Sequence, residues 1–195
     1  QNDSNGSNSG SVKIYKNNNE TWEQIGSDIL GETTSEQFGS SISISGDGKI
    51  IAIGAERKNT NEIGNKAGVV RIYKNINNSW EKIGSDINGD AAYDYSGNNV
   101  SISSDGNVVA IGAMKNDENG AYSGQVRIFN NSNEEWEQVG SDLYGEAAYH
   151  YFGYATDLSS DGSIVAIGAY KFNGDDSNGD RYRGQVKIYK NSMAK

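Results

Sequence analysis

Short runs of hydrophobic residues, alternating with polar ones, predict strands along the whole chain. Residues 41–45 read Ser-Ile-Ser-Ile-Ser, a period of two that predicts a strand with one face in a core. Residues 50–53 are apolar throughout, as expected of a strand that is covered on both faces. The Asp-Gly turn at residues 46–48 predicts a tight hairpin between the two strands. Because no window keeps a period of 3.6 residues, we expect essentially no helix.

Internal repetition decides the organisation of the chain. A phrase that begins with tryptophan occurs three times at a nearly constant spacing, as WEQIGSDI, WEKIGSDI and WEQVGSDL, from Trp22, Trp80 and Trp136. A phrase D-G-x-x-x-A-I-G-A follows each of them. A third phrase, G-x-V-x-I-Y or G-x-V-x-I-F, occurs four times. These spacings indicate three repeats and one additional strand.

Each repeat carries four strand signals, which in the first repeat lie at residues 22–29, 38–45, 50–55 and 69–74. Four antiparallel strands in a unit of this size are typical of a propeller blade. The predicted fold is all-β, with three four-stranded antiparallel blades at residues 18–75, 76–131 and 132–195. Residues 1–17 then supply a surplus strand, equivalent to the last strand of a blade. Since three blades are too few to close a propeller, we expect another chain or segment to complete the fold.

Two pairs of dipeptides resemble those of a known family. Phe38-Gly39 followed by Gly54-Ala55, and the same dipeptides at residues 152–153 and 168–169, resemble the FG-GAP repeat of integrin-like β-propellers and of bacterial-type surface repeat proteins. The second repeat departs from the pattern with Ser96-Gly97, and Glu56, Met114 or Tyr170 stands where the family has proline. The resemblance implies a propeller fold, whereas integrin function does not follow from it.

The resemblance also implies a possible cofactor, since FG-GAP propellers bind calcium in loops rich in Asp and Asn. Two loops before the last strand of a repeat have this composition, although neither has the full calcium-binding pattern. The candidate ligands are Asp175, Asp176, Asn178 and Asp180 in one loop, and Asp117 and Asn119 in the other. The alternative is a solvated polar turn, because Asp, Asn and Gly favour turns on their own account.

Composition and charge exclude several classes of protein. The 195 residues contain no cysteine and no proline, so neither a disulfide framework nor a zinc knuckle can form. A formal net charge of −9 argues against a nucleic-acid partner. No apolar run is long enough to span a bilayer, so we expect no membrane insertion.

Catalytic chemistry is not expected. The single histidine, His150, takes the place of Glu36 and Asp94 in the other repeats, and a catalytic group should not be interchangeable in this way. The carboxylates recur at the same positions in every repeat, whereas a glycosidase needs two carboxyls in different environments. We therefore predict that the protein is not an enzyme, with a glycosidase as a remote alternative.

Aromatic residues outside the shared phrases cluster in the second and third repeats. Tyrosine-rich loops on a rigid scaffold are typical of recognition or assembly surfaces, because tyrosine offers amphipathic area at low entropic cost. Packing between loops is the alternative. The three tryptophans fit packing between blades better than sugar stacking. The candidate surface comprises Tyr93, Tyr95, Tyr122, Tyr144, Tyr149, Tyr151, Tyr154, Tyr170, Phe172 and Tyr182.

These features predict an extracellular or cell-surface repeat protein for adhesion, recognition or self-assembly into a surface structure or filament. A lectin-like, glycan-binding propeller is the alternative. The expected partners are copies of the chain or the remainder of a longer repeat chain, and a glycan or surface protein. Candidate N-glycosylation sites are Asn2, Asn5, Asn19, Asn77, Asn99 and Asn130.

Overall fold

The computed structural model describes residues 5–172 and 183–190, and its regular structure consists of β-strands. The first four are β1 (Ser11–Val12), β2 (Tyr15–Asn18), β3 (Thr21–Gln24) and β4 (Ile29–Leu30). A first large sheet contains β5 (Ser41–Ile44), β6 (Ile50–Ala55), β7 (Val69–Ile76), β8 (Ser79–Lys82) and β9 (Ile87–Asn88). A second contains β10 (Asn99–Ile102), β11 (Val108–Ala113), β12 (Gln125–Ser132), β13 (Glu135–Gln138) and β14 (Leu143–Tyr144). A third contains β15 (Phe152–Leu158), β16 (Ile164–Ala169) and β17 (Gln185–Lys190).

The predicted all-β fold with antiparallel sheets is confirmed. All named strands pair in antiparallel fashion, and none of the described residues is helical. Accordingly, within the described ranges no helix could cross a membrane.

The sheets are offset by one strand from the predicted repeats. In the first large sheet the order is β5-β6-β7-β8, and β9 pairs with the first half of β7. The strand that carries Trp80 therefore forms a hairpin with the strand before it, with Trp80 opposite Asn75. Trp136 stands opposite Asn131 in the same way. The predicted boundaries after residues 75 and 131 thus fall within β7 and β12.

The surplus strand predicted at residues 1–17 pairs within the chain on one side, while no described strand lies beside it in the place that β6 takes beside β7. β1 pairs with β4, with Val12 opposite Ile29, and β2 pairs with β3, with Asn17 opposite Trp22. The reason is the offset, since the tryptophan strand closes on the strand that precedes it. The strand predicted at residues 22–29 is divided between β3 and β4, and Gly26 with φ of 71° lies between them.

Apolar clusters fill the spaces between successive sheets. Between the first and second large sheets, Val70 and Ile72 pack with Val100 and Ile102. Similar clusters lie between β1–β4 and the first sheet and between the second and third sheets. Residues 51–53 are buried, which confirms the prediction that this strand is covered on both faces.

The alternating strand β5 presents its serines, and not its isoleucines, to the second sheet. Its serines turn towards the second sheet, where Ser41 Oγ donates to Gly97 O at 2.7 Å and Ser43 Oγ accepts from Ile102 N at 3.0 Å. Its isoleucines are exposed instead, Ile42 by 57%. The serine hydroxyls thus join the sheets by hydrogen bonds to the backbone of the next repeat.

The glycines of the first two Gly-Ala dipeptides allow neighbouring sheets to approach closely. A Cβ atom on Gly54 would lie 2.1 Å from Gly97 O, and one on Gly112 would lie 2.2 Å from Gly153 O. Either contact is far too short for real atoms. At Gly168, in the third sheet, the nearest described atom would be 3.6 Å away. Among the described residues, no neighbour therefore requires glycine at position 168.

Two apolar faces remain uncovered at opposite ends of the row of sheets. In the third sheet Val186 and Ile188 are 68% and 71% exposed, whereas their equivalents in the first, Val70 and Ile72, are at most 2% exposed. The other face is that of Ile42 and Ile44 on β5. Within the chain, the equivalents of these two faces, on β7 and β10, pack against each other between the first and second sheets.

Candidate recognition surface

Tyrosine rings and lysine side chains form a continuous series along one edge of the second and third repeats. Ring centroids lie 5.6 Å apart between Tyr122 and Tyr151, 5.3 Å between Tyr151 and Tyr170, and 4.4 Å between Tyr170 and Tyr154. Tyr149 packs edge-on against Tyr122 at 5.8 Å. We call the series the Tyr–Lys row, and its members are Lys66, Tyr93, Tyr95, Lys115, Tyr122, Tyr149, Tyr151, Tyr154, Tyr170 and Lys171.

Lysine ammonium groups connect the rings of the Tyr–Lys row. Lys115 Nζ lies 4.1 Å from the ring centroid of Tyr95 and 5.8 Å from that of Tyr122. Lys171 Nζ lies 4.7 Å from the ring centroid of Tyr151. Cations at these distances are attracted by the electron-rich faces of the rings. The row is thus an amphipathic surface with positive groups on a chain of net charge −9.

Most of the tyrosines in the row occupy a strained backbone conformation. Tyr93, Tyr95, Tyr122, Tyr149 and Tyr151 have φ between 54° and 68°. This left-handed region is unfavourable for bulky L-residues and is used mainly by Gly, Asn and Asp. Such outliers cluster at functional sites, where the surrounding structure holds them in place.

The first repeat shows that the loop does not need tyrosine. Ser35 and Gln37, with φ of 64° and 55°, stand where Tyr93 and Tyr95 stand in the second repeat. Their amides make the same bonds, to Ser7 O at 2.8 Å and Asn8 O at 3.2 Å, as those of Tyr93 and Tyr95 to Asn65 O and Lys66 O. The backbone hydrogen bonds therefore hold this loop without aromatic rings.

Beneath these loops, one repeated position carries three different ionisable residues. Glu36 is buried and accepts hydrogen bonds from Glu32 N at 2.7 Å and from Thr33 Oγ1 at 2.9 Å. It also accepts from Arg71 Nη1 at 3.1 Å and forms an ion pair with Lys58 at 3.1 Å. Burial tends to raise the pKa of Glu36, but these hydrogen bonds and the charge of Arg71 outweigh it and lower the pKa.

The equivalent residues in the other two repeats have different partners. Asp94 accepts a hydrogen bond from Asn116 Nδ2 at 2.9 Å, and burial raises its pKa. His150 lies against Phe172 with ring centroids 4.7 Å apart, and burial lowers its pKa. These residues form polar or ring contacts beneath the loops.

Two of the predicted surface residues, Tyr144 and Phe172, lie outside the row. Tyr144 is in β14, where its hydroxyl donates to Asp142 at 2.8 Å; burial and this carboxylate raise its pKa to about 12. Phe172 packs on His150, and Tyr182 lies outside the described residues. The other seven tyrosines belong to the row.

The sequence did not predict the lysines of the row. Lys115 and Lys171 share a repeated position, two residues after the Ala of the Gly-Ala dipeptide, and Arg57 occupies it in the first repeat. A cation at every copy of one loop position was the signal that could have revealed them. Lys66 stands at the position of Tyr122, so the same place holds a cation in one repeat and a ring in the next.

Two of the candidate calcium ligands, Asp117 and Asn119, are among the described residues and form local hydrogen bonds. Asp117 Oδ1 accepts from Tyr122 N at 2.7 Å, and Asn119 Nδ2 donates to Gly145 O at 3.0 Å. Among the residues that the structure describes, no group of three acidic or histidine side chains could hold a metal ion. Asp175, Asp176, Asn178 and Asp180 lie outside these residues, so calcium there stays a prediction.

The candidate glycosylation sites differ in their surroundings. Asn19, Asn77 and Asn130 are exposed, and Asn5 Nδ2 donates to Gly31 O at 2.7 Å. Asn99 Oδ1 accepts from Thr156 N at 2.7 Å, between the second and third sheets. A glycan on Asn99 would therefore disrupt this contact. Asn2 lies outside the described residues.

Comparison with known families identifies the repeat. Residues 88–129, from the end of β9 into β12, match the family model of the FG-GAP repeat. This part of the chain is similar to an FG-GAP repeat. The match confirms the resemblance inferred from the sequence. Together with the repeated antiparallel sheets, the match supports a β-propeller-like repeat protein.

Solved structures show a likeness of fold alone. A proposed 6-phosphogluconolactonase from Bacteroides uniformis is 15% identical, with a TM-score of 0.60 over 95% of this chain and 45% of that protein. The structure of U3-55K is 13% identical, with a TM-score of 0.47 over 84% of this chain and 43% of that one. An ancestral GH74 enzyme is 16% identical, with a TM-score of 0.31 over 94% and 32%. The chain thus spans less than half of each of these proteins. A comparison with curated proteins gave no match.

Proposed function

We propose that this chain is an extracellular or cell-surface, non-enzymatic β-propeller-like repeat protein whose Tyr–Lys row serves recognition or adhesion. The observation that supports this most strongly is the occurrence of five tyrosines at left-handed positions, of which four have Ser35 or Gln37 as their equivalent in the first repeat. Rings that the loop does not need, held in an unfavourable conformation, are best explained by a partner that contacts them.

We propose a non-enzymatic role because of the carboxylates and the histidine at one repeated position. Glu36, Asp94 and His150 occupy one structural position and differ in charge, pKa and partners. Catalysis by a general acid or base would require one defined group near a substrate. Calcium in the loop at residues 175–180 is the one metal that the proposal includes.

A binding survey tests the proposed function. The intact chain is applied to an array of glycans and extracellular proteins beside a variant in which Tyr93→Ser and Tyr95→Gln give the second repeat the loop residues of the first. We expect at least one signal for the parent that the variant loses. The proposal is wrong if no signal occurs, or if all signals survive in a variant that melts like the parent.

Self-association is a second candidate function, supported by the two uncovered faces. Val186 and Ile188 correspond to residues that are buried in the first repeat against Val100 and Ile102. In a second copy, Ile42 and Ile44 are the counterparts of Val100 and Ile102. The open space beside Gly168 would accommodate the close backbone approach that occurs at Gly112. Val12 and Ile14, the repeat equivalents of Val186 and Ile188, already pack on the first sheet of their own chain. Head-to-tail stacking would therefore repeat an internal junction where the third sheet of one copy takes the place of β1–β4 in the next.

Light scattering over a range of concentrations tests this association. Ile188→Lys should abolish it, and Gly168→Ala should weaken it without destabilising the monomer. Ile76→Lys replaces an exposed isoleucine in the β7–β8 hairpin, which belongs to neither face, and should leave the association intact. A parent chain that stays monomeric contradicts self-association and instead favours a neighbouring segment of a longer repeat chain as the cover.

A further inference from the structure

We infer that the Tyr–Lys row binds an acidic polysaccharide, with sugar rings on the tyrosines and carboxylate or other anionic groups on the lysines. This inference rests on the proposed function, because it assumes that the row is a recognition surface. It adds the chemical class of the ligand and the role of the lysines, which the sequence did not indicate.

The tyrosines provide flat apolar faces with polar edges. Tyr93, Tyr149 and Tyr154 are each about half exposed, so part of each ring remains open to a ligand. A pyranose ring has one face of C–H groups, which is complementary to the electron-rich face of an aromatic ring, and its hydroxyls can bond the phenol edge. Rigid tyrosine side chains lose little entropy on binding such a ligand.

The lysines make an anionic ligand more favourable than a neutral one. Lys115 lies between the rings of Tyr95 and Tyr122, which hold its ammonium group beside the aromatic faces. Acidic residues also lie near Lys115 and Tyr122: burial raises the pKa of Glu56, and the carboxylate of Asp117 accepts a hydrogen bond from Tyr122 N. A carboxylate on the ligand would find a donor in Lys115 next to a stacking surface.

The geometry occurs twice, which suits a polymer. The pair of Lys115 and Tyr95 in the second repeat has its counterpart in Lys171 and Tyr151 in the third, at 4.1 and 4.7 Å. Tyr122 lies between the two pairs and contacts both Lys115 and Tyr151. Two linked subsites bind a repeating ligand more tightly than either alone, because the second contact is intramolecular.

Single-stranded nucleic acid also stacks on aromatic rings beside cations, but the observations favour a polysaccharide. A strand carries one phosphate per nucleotide, and its affinity depends mainly on neutralising them. This chain has 26 acidic and 17 basic residues, and the row contains three lysines, so neutralisation of phosphates can contribute little to binding. A sugar polymer can bind mainly through its C–H faces and hydroxyls on the tyrosines, with its carboxylates on the lysines as an addition.

Calorimetric titration of the intact chain with polygalacturonate tests the inference. The matched control ligand is the fully methyl-esterified polymer, which keeps the sugar rings and loses the charges. We expect the acidic polymer to bind about tenfold or more tightly than the ester, and its binding to weaken as salt is raised.

Three variants assign the binding to the row. Tyr95→Gln introduces the residue that the first repeat holds in the same conformation, and Lys115→Gln removes one ammonium group. Each should weaken binding about fivefold to tenfold. Tyr15→Gln alters an exposed tyrosine outside the row and should leave binding unchanged.

The possible outcomes separate this inference from the proposed function. Equal binding of the ester, tighter binding of oligothymidylate, or no loss in the row variants would overturn the acidic-polysaccharide inference. If the array nevertheless shows another partner that depends on Tyr93 and Tyr95, the proposed function stands and only the ligand class is wrong. If the row variants affect binding to nothing at all, both are wrong.

Discussion

Glu36→Gln and Asp94→Asn change equivalent positions and should have opposite consequences for stability. Glu36 faces the buried guanidinium of Arg71 and receives hydrogen bonds from Glu32 N, Thr33 and Arg71. The glutamine amide has one oxygen and no charge, so part of this set is lost. Asp94 has no described cation in hydrogen-bond contact, and Asn116 donates to it.

The expected magnitude follows from the partners that remain. Removing one member of a buried ion pair costs about 3–5 kcal/mol. Arg71 keeps Asp86 at 3.0 Å and Glu32 at 2.8 Å, so we expect about 3 kcal/mol for Glu36→Gln, or a melting temperature about 6–12 °C lower. Because burial raises the pKa of Asp94, its charge is unfavourable when folded, and Asp94→Asn should be neutral or stabilising by up to about 1 kcal/mol.

The dependence on pH provides an independent check. The folded pKa of Glu36 is lower than its unfolded pKa, so its contribution is present above about pH 4.5 and is lost as the pH falls through the folded pKa. Urea denaturation, followed by tryptophan fluorescence at pH 7 and pH 3, should show the difference between parent and Glu36→Gln shrinking at the lower pH. Equal destabilisation by both substitutions at pH 7 would refute this reasoning.

Two further predictions concern the sheet junctions and the metal. Gly112→Ala should lower the free energy of unfolding, measured by urea denaturation, by more than about 3 kcal/mol, because the new Cβ would meet Gly153 O at 2.2 Å. Gly168→Ala should change the free energy of unfolding by less than about 0.5 kcal/mol. Similar losses of stability in both variants would contradict the described junctions. If calcium occupies residues 175–180, it relieves repulsion among Asp175, Asp176 and Asp180, so millimolar calcium should raise the melting midpoint relative to chelator, and identical midpoints would exclude the site.

The sequence predicted the strands well because each carries its own pattern. Residues 50–55 form β6 as predicted, and the Asp-Gly turn before them joins it to β5. The pairing partner of the tryptophan strand was not predictable in this way. A strand with a polar loop on each side can form a hairpin with the strand before it or with the strand after it. The orientation of β5 also depended on the neighbouring sheet, whose backbone binds Ser41 and Ser43.

The candidate site was predictable in part. The clustering of Tyr93, Tyr95, Tyr149 and Tyr151 follows from their repeated positions in the sequence, but their left-handed backbone does not. Lys115 and Lys171 escaped notice because lysine is common on exposed loops. Only the fold shows that each lies over the tyrosine ring of its own repeat.

The Tyr–Lys row is the surface at which we propose that this protein binds its partner. Chemical-shift mapping of backbone amides in the isotopically labelled chain, titrated with a short oligogalacturonate, tests this claim most directly. We predict that the shifted amides concentrate at Tyr95, Tyr122 and Tyr151 and their neighbours, and that Lys115→Gln reduces these shifts. Shifts confined to other surfaces, such as the exposed Trp22, or no shifts at saturating ligand, would contradict it.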